Sequence, residues 1–271
     1  MQLWFEACGA AAVAAIGAVL GAAISRLPRA WWTTGAVLPP AAIAVIALGR
    51  RFAQAALMPP MSWMMQGRTE FAVLGAAIAM LVATLWRRLP SKRLGAMFCA
   101  FAVLAIADLS ILPFALPAVT QASLMQLETQ VDPDGVCLQN AYYTCGPASA
   151  VTALHALGLE GKEGELAVLS RTTRLAGTEP DLLCEALRER YRDRGLSCEY
   201  RVLHNIDELA AGAVMLALVK HSLFVDHYVA VLAVTGGQVV TGDPLYGRRV
   251  IPVAEFEKMW RFTGIVVKRI R

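Results

Sequence analysis

Charge is scarce in this chain. Asp, Glu, Lys and Arg make up 17% of its 271 residues against 57% hydrophobic ones, and the mean hydropathy is +0.51. That is too apolar for an ordinary soluble protein. Other absences narrow the function. There is no Cys-x-x-Cys pair and no Cys/His spacing of a zinc site, so neither a metal nor another cofactor is expected. The phosphate-cradling pattern G-x-x-x-x-G-K-[ST] is missing, so the chain brings no such nucleotide site of its own. No basic cluster is interleaved with aromatics, and a net charge of +4 does not call for a nucleic-acid partner.

The shortage of charge is concentrated in residues 1–118. Ala7 to Ser25, Gly35 to Gly49, Phe71 to Trp86 and Gly95 to Pro117 carry no charge except Asp108. Each is long enough, or nearly so, to cross a hydrocarbon core about 30 Å thick, so the sequence predicts four transmembrane helices in a lipid bilayer. Pro39-Pro40 interrupts the second. Met1 to Ala7 has no basic stretch and carries Glu6, which favours an uncleaved helix over a signal peptide. Gly17-x-x-x-Gly21 is a candidate face for a partner helix, although the match arises easily in an Ala/Gly-rich segment. The stretch Ala53 to Gln66, with its Met residues and Trp63 around Pro59-Pro60, reads as an interfacial or re-entrant segment. Asp108, an acid deep inside a span, is either functional or hydrogen-bonded within the bundle.

Basic residues set an orientation. Arg26, Arg29, Arg87, Arg88, Lys92 and Arg93 fall in the first and third connections, against Arg50, Arg51 and Arg68 in the second. Placing the larger group inside leaves both chain ends outside, with residues 136–271 beyond the cytoplasmic membrane. Residues 119–135, which lack Lys and Arg and contain Glu128, Asp132 and Asp134, read as an acidic linker.

The second half carries a candidate site. Pro147 suits a first helical position and Ala148 to Leu157 is a good helix former closed by Gly158, so Cys145 sits at or just before a helix start. Unpaired backbone N–H groups and the positive end of the helix dipole favour a thiolate there. Gln139, just upstream, could donate its side-chain amide to the oxyanion of a tetrahedral intermediate. His227 opens an apolar run, Tyr228 to Val234, that reads as a strand; Gln238 to Gly242 reads as the next. If Thr235-Gly236-Gly237 forms a three-residue hairpin loop, Val229 faces Asp243. His227 and Asp243 then share a face at roughly 7 Å between Cα atoms. A two-residue loop would put them on opposite faces.

The segments Gln139-Asn-Ala-Tyr-Tyr-Thr-Cys145-Gly-Pro-Ala, His227-Tyr-Val-Ala-Val-Leu, Gly242-Asp243-Pro244-Leu-Tyr-Gly247 and Phe256-Glu-Lys-Met-Trp260 together resemble the bacteriocin-processing, double-glycine cysteine peptidases, a papain-like family. The resemblance runs from near Val131 to the C-terminus. It implies Cys145 as nucleophile, His227 as base, Asp243 as orienter and Gln139 as oxyanion donor. It also implies a peptide or protein substrate cut after a small pair such as Gly-Gly, at a bacterial cytoplasmic membrane. Two departures stand out. Thr144 replaces the acidic or other polar residue of many relatives, and the transporter ATPase that relatives carry is missing, so any coupling to export needs a separate transport complex.

Strands near Ala213 to Val219, Tyr228 to Val234, Gln238 to Gly242, Arg248 to Ile251 and Gly264 to Lys268 would form an antiparallel sheet. With the thiol-bearing helix packed on it, the fold expected for residues 136–271 is α+β and papain-like, behind an all-α membrane domain. Two other functional classes fit the same residues: an inert module that binds leader peptides, and a Cys-dependent acyl transferase or amidase. Among the other histidines, His155 is nearly three turns along the Cys145 helix and His204 lies by a turn, leaving His221 as the competitor to His227. Cys184, on a helix from Asp181 to Tyr191, and Cys198, at the start of the following strand, could bridge in an oxidising compartment. Cys137 reads equally as a small buried apolar residue.

Overall fold

The structure, a computed structural model, describes residues 2–52, 54, 57–59, 61–65, 68–209, 212–222 and 225–270. Two compact units divide the chain, Met1–Val119 and Thr120–Arg271.

The first unit is helical: α1 (Gln2–Ile24), α2 (Arg29–Arg51), the short α3 (Met61–Met65), α4 (Thr69–Leu85), α5 (Lys92–Ile106) and α6 (Leu112–Met125). Four stretches are long and apolar enough to cross a membrane: Trp4–Ile24, Trp31–Gly49, Thr69–Arg88 and Lys92–Met125. The second runs unbroken through Pro39 and Pro40. Much of residues 53–66, read above as interfacial, lies outside the described residues.

Gly17 and Gly21 pack inside the unit rather than against a partner chain. A Cβ at Gly17 would overlap the Ala76 carbonyl, and one at Gly21 the Met80 carbonyl. The equal spacing of these contacts makes α1 and α4 parallel neighbours whose backbones touch where side chains are missing. The last span holds a π-turn at Ala107–Ile111, just before Pro113. Pro113 has no N–H and its ring crowds the carbonyl one turn back, so widening the helix relieves both problems.

Pro117 repeats the difficulty. It cannot donate to the carbonyl of Pro113, and a buried carbonyl left without a donor is costly. Arg68 supplies it, buried at 1% exposure with Nη1 donating to Pro113 O at 2.6 Å. Arg68 is therefore an internal structural residue and drops out of the count of connecting-loop charges. Asp108 is the second residue of the π-turn and lies on the exposed surface of the unit, while Ser110 is buried against Gly75.

The second unit contains β1 (Gln130–Val131), β2 (Cys137–Leu138), α7 (Cys145–Ala156), α8 (Glu163–Leu169), α9 (Pro180–Arg190), β3 (Leu196–Val202), β4 (Ala213–Lys220), β5 (Asp226–Thr235), β6 (Gln238–Asp243), β7 (Gly247–Pro252), α10 (Val253–Met259) and β8 (Trp260–Arg269). Residues 119–135, read above as a linker, carry regular structure. Helix α6 continues to Met125, Leu124 is buried with its carbonyl against Gly164, and β1 pairs with β2. Asp132 closes that small hairpin by accepting from the N–H groups of Asp134 and Val136 at 2.9 and 2.8 Å. Two of the acidic residues that suggested a linker, Asp132 and Asp134, belong to this turn.

The main sheet is antiparallel throughout, in the order β3-β8-β4-β5-β6-β7. Central β4 is buried on both faces, which is why its sequence Ala-Val-Met-Leu-Ala-Leu-Val shows no polar alternation. Val214, Leu216 and Leu218 join the core under α7 and α9; Met215, Ala217 and Val219 join a second core with Phe256 and Trp260. One thiol-bearing helix on an antiparallel sheet is the α+β papain-like arrangement expected from the sequence.

Candidate active site

Cys145 is the first residue of α7, two positions earlier than the proline signal suggested, and Pro147 falls third. The first turn tolerates proline because its N–H groups have no partner within the helix. The first bond of the helix is Ala148 N–H to Thr144 O at 3.0 Å, so the N–H groups of Cys145 and Gly146 precede the ladder. Cys145 is half-buried, and Gly146 lies so close to Thr178 that an added Cβ would come within 2.9 Å of its side chain.

The approach to this helix is tightly fixed. The Ala141 carbonyl accepts from Gln139 Nε2 at 2.8 Å, from Thr144 Oγ1 at 2.9 Å and from Thr144 N–H at 3.1 Å. Of the two N–H bonds on the Gln139 amide, one is thus committed locally and one is left to donate elsewhere. The Gln139 backbone N–H donates to Pro244 O at 3.0 Å, tying this loop to the turn that follows Asp243. Behind the loop, Glu163 is fully buried and receives the Asn140 N–H at 3.0 Å and Asn140 Nδ2 at 2.7 Å. Sequence reasoning gave Asn140, Ala141 and Glu163 no role. A lone acid at a helix start gives no sign that it faces a loop 23 residues upstream.

His227 and Asp243 come together with Nε2 to Oδ1 at 2.9 Å, both buried. The route differs from the expected one. The hairpin loop holds two residues, Gly236 and Gly237, both with positive φ, and Thr235 pairs with Gln238. That register alone would put Asp243 opposite Ala230, on the wrong face. A bulge at Leu232 shifts the ladder by one, so that Ala230 pairs with Gly242 and Val231 with Thr241. The odd residue restores the shared face that the three-residue loop was expected to give.

The carboxylate is itself held, since Asp243 Oδ1 also accepts the Leu245 N–H at 2.9 Å. Burial alone would raise its pKa, but hydrogen bonds from His227 and the Leu245 N–H, with the positive charges of His227 and Arg249, bring it below the usual carboxylate range. Burial alone would likewise lower the His227 pKa. Hydrogen bonds to Asp243 and Cys145, with the negative charge of both, outweigh it and push the imidazole up to about 9. With Nε2 engaged by Asp243, the ring nitrogen left for Cys145 is Nδ1.

The other histidines fall outside this arrangement. His221 is exposed and stacks at a tilt on His227, ring centres 5.6 Å apart. His155 lies beside Gly135, and His204 is exposed next to Glu208. Cys137 is buried, its N–H on Thr152 Oγ1 at 2.9 Å, and burial with the nearby Glu163 charge pushes its thiol up to about 12. Among the described residues, no group of three or more His, Cys, Asp and Glu side chains is placed to hold a metal ion.

Comparison with known proteins agrees on the region concerned. The profile of the peptidase C39 family matches residues 135–270, half of the chain. An uncharacterised protein of Methanothermobacter thermautotrophicus is 26% identical over 148 residues, covering 53% of this chain and 94% of that protein. Another, from Methanothermobacter marburgensis, is 31% identical over 131 residues, covering 48% and 86%. The peptidase domain of Streptococcus ComA, a bi-functional ABC transporter involved in quorum sensing, is similar in structure at 19% identity. It covers 49% of this chain and 96% of that one, with a TM-score of 0.43. A double glycine motif protease from an AMS/PCAT transporter, solved with its leader peptide, is similar at 18% identity, covering 54% and 96%, with a TM-score of 0.41.

Proposed function

The chain belongs to the peptidase C39 family, whose members include double-glycine leader peptidases, and from that premise we propose that it is a membrane-bound cysteine peptidase cleaving an exported or membrane-associated peptide. The observation that carries this reading is the buried 2.9 Å contact between His227 and Asp243, formed beside a cysteine at a helix start. A buried imidazole held charged at neutral pH has a natural partner in a thiolate.

In this mechanism the thiolate of Cys145 attacks the scissile carbonyl. His227, oriented through Nε2 by Asp243, then delivers a proton to the departing amine and next takes one from the water that releases the acyl-enzyme. The second N–H of Gln139 and the backbone N–H of Cys145 receive the oxyanion. The mechanism runs on side chains and a backbone N–H and draws on no cofactor. A Gly-Gly-like cleavage site is part of the proposal by family kinship, as is a separate transport complex that exports the product. We place the peptidase unit outside the cytoplasmic membrane, because six basic residues of the first and third connections mark the inner side.

The test is cleavage of a peptide with a Gly-Gly junction by the full-length protein in membranes, beside Cys145→Ala and His227→Ala. Cleavage lost in both variants supports the reading. Binding of the peptide by the wild type with no product would instead favour the inert leader-binding module, and product formed equally by Cys145→Ala would remove the assignment. Adding a nucleophilic amine separates hydrolysis from acyl transfer.

A further inference from the structure

Two cysteines outside the candidate site face one another. Cys184 on α9 and Cys198 on β3 are both buried, at 3% and 5% exposure, with their sulfurs 2.8 Å apart. That separation is inside the usual contact distance of two sulfurs and approaches the roughly 2.05 Å of a bond. Strand β3 is the outer strand of the sheet, hydrogen-bonded to β8 alone, and α9 packs over it. We propose that Cys184 and Cys198 form a structural disulfide tying α9 to the edge of the sheet.

The surroundings suit its formation. Arg188, one turn along α9, directs Nη2 at Cys184 Sγ from 3.7 Å and donates to Cys198 O at 3.0 Å, so one guanidinium spans both residues. The hydrogen bond from Cys198, with the Arg188 charge, holds the Cys184 thiol below its ordinary range against the opposing effect of burial. Arg188 sits one turn along the same helix and is at hand as soon as α9 forms, so Cys184 is the attacking sulfur. Its thiolate attacks a disulfide-bearing oxidant, of the thiol oxidoreductase or low-molecular-weight disulfide class, and one thiol leaves. Cys198 then gives up its proton and attacks the Cys184 sulfur of the mixed disulfide, and the second thiol leaves. Two thiols and one external disulfide become one internal disulfide and two external thiols. Because both sulfurs are buried in the folded unit, the exchange belongs to folding, before α9 closes on β3.

This pairing carries a consequence for the chain as a whole. Stable disulfides accumulate in oxidising compartments, so the bond requires the peptidase unit to fold outside the cytoplasm. The inference does not depend on whether Cys145 cleaves anything.

The experiment is peptide mapping, without reduction, of the full-length protein from freshly isolated membranes after rapid trapping of free thiols with an alkylating reagent. The expected result is a Cys184 peptide joined to a Cys198 peptide, two hydrogens lighter than their sum, with Cys145 alkylated. Recovery of both as alkylated cysteines overturns the proposal, as does a bond from either to Cys137 or Cys145. Reductant should lower the melting temperature of the peptidase unit by about 6–12 °C in the wild type and leave a Cys184→Ala variant unmoved. Equal sensitivity in both would also overturn it.

Discussion

The imidazole of His227 and the carboxylate of Asp243 meet at 2.9 Å because one residue, Leu232, is set out of the ladder between their strands. Side chains on a strand alternate strictly, so a ladder offset by one residue changes which of them share a face. Here the tight glycine turn and the bulge each contribute an offset, and the two cancel at the position where the chemistry would occur.

Deleting Leu232 should therefore be tolerated. The ladder becomes regular from the turn onward and Asp243 stays on the His227 side, so cleavage is expected to remain within about tenfold of wild type. Inserting one alanine between Tyr228 and Val229 carries His227 to the opposite face, and cleavage should fall to the level of Cys145→Ala, a loss of at least about 100-fold. Equal activity in the two variants would contradict the role given to the bulge.

The raised pKa of His227 predicts how stability depends on pH. An imidazole whose pKa is higher folded than unfolded stabilises the fold fully below its unfolded value of 6.5, and that contribution disappears as pH rises through about 9. The difference corresponds to about 3 kcal/mol. Thermal melts of the full-length protein from pH 6 to 10 should decline across this window. In Asp243→Asn the decline should start at the same pH but end at a lower one and be smaller, since a partner that raises the imidazole has gone. Asp243 acts with the opposite sign, its contribution being present above the ordinary carboxylate value and lost as pH falls through the lowered one.

Gln139 and Thr144 separate positioning from chemistry. Gln139→Ala should reduce kcat by about 10²–10³ with little change in KM, as expected for a lost oxyanion donor. Thr144→Val removes the hydroxyl that anchors Ala141 and should cost about tenfold, recovered in Thr144→Ser. If Thr144→Val and Thr144→Ser behave alike, the hydroxyl plays no part.

Within the helical unit, Gly21→Leu places a side chain against the Met80 carbonyl and the Ala83 methyl, whereas Gly9 has nothing within 4 Å. Gly21→Leu should lower the thermal stability of the detergent-extracted protein by about 1–3 kcal/mol or more. Gly9→Leu should be silent. Size-exclusion melts of the two variants provide the comparison.

How far the sequence could be read depended on the range of the forces involved. The α7 stop at Gly158 and the strand runs were legible because capping and apolar patterning are local signals. The juxtaposition of His227 and Asp243 was legible only under an assumption about the turn; the register rests on a bulge that no short-range pattern announces. Residues 119–135 looked like a linker because acidic side chains mark turns and linkers alike, and only pairing across the chain separates the two. Glu163 and Arg68 were unreadable for one reason: each is a charge brought inside to satisfy backbone groups far away in sequence. Composition treats such a residue as surface.

A carbonyl oxygen has two lone pairs, and the oxygen of Ala141 is approached by three donors. The Gln139 bond is the shortest of the three, and the two from Thr144 lie within a turn that cannot open without unwinding the start of α7. One backbone oxygen thus fastens the helix start and the Gln139 amide to the same point, so the second N–H of that amide is held in a fixed position relative to the thiol before any negative oxygen forms.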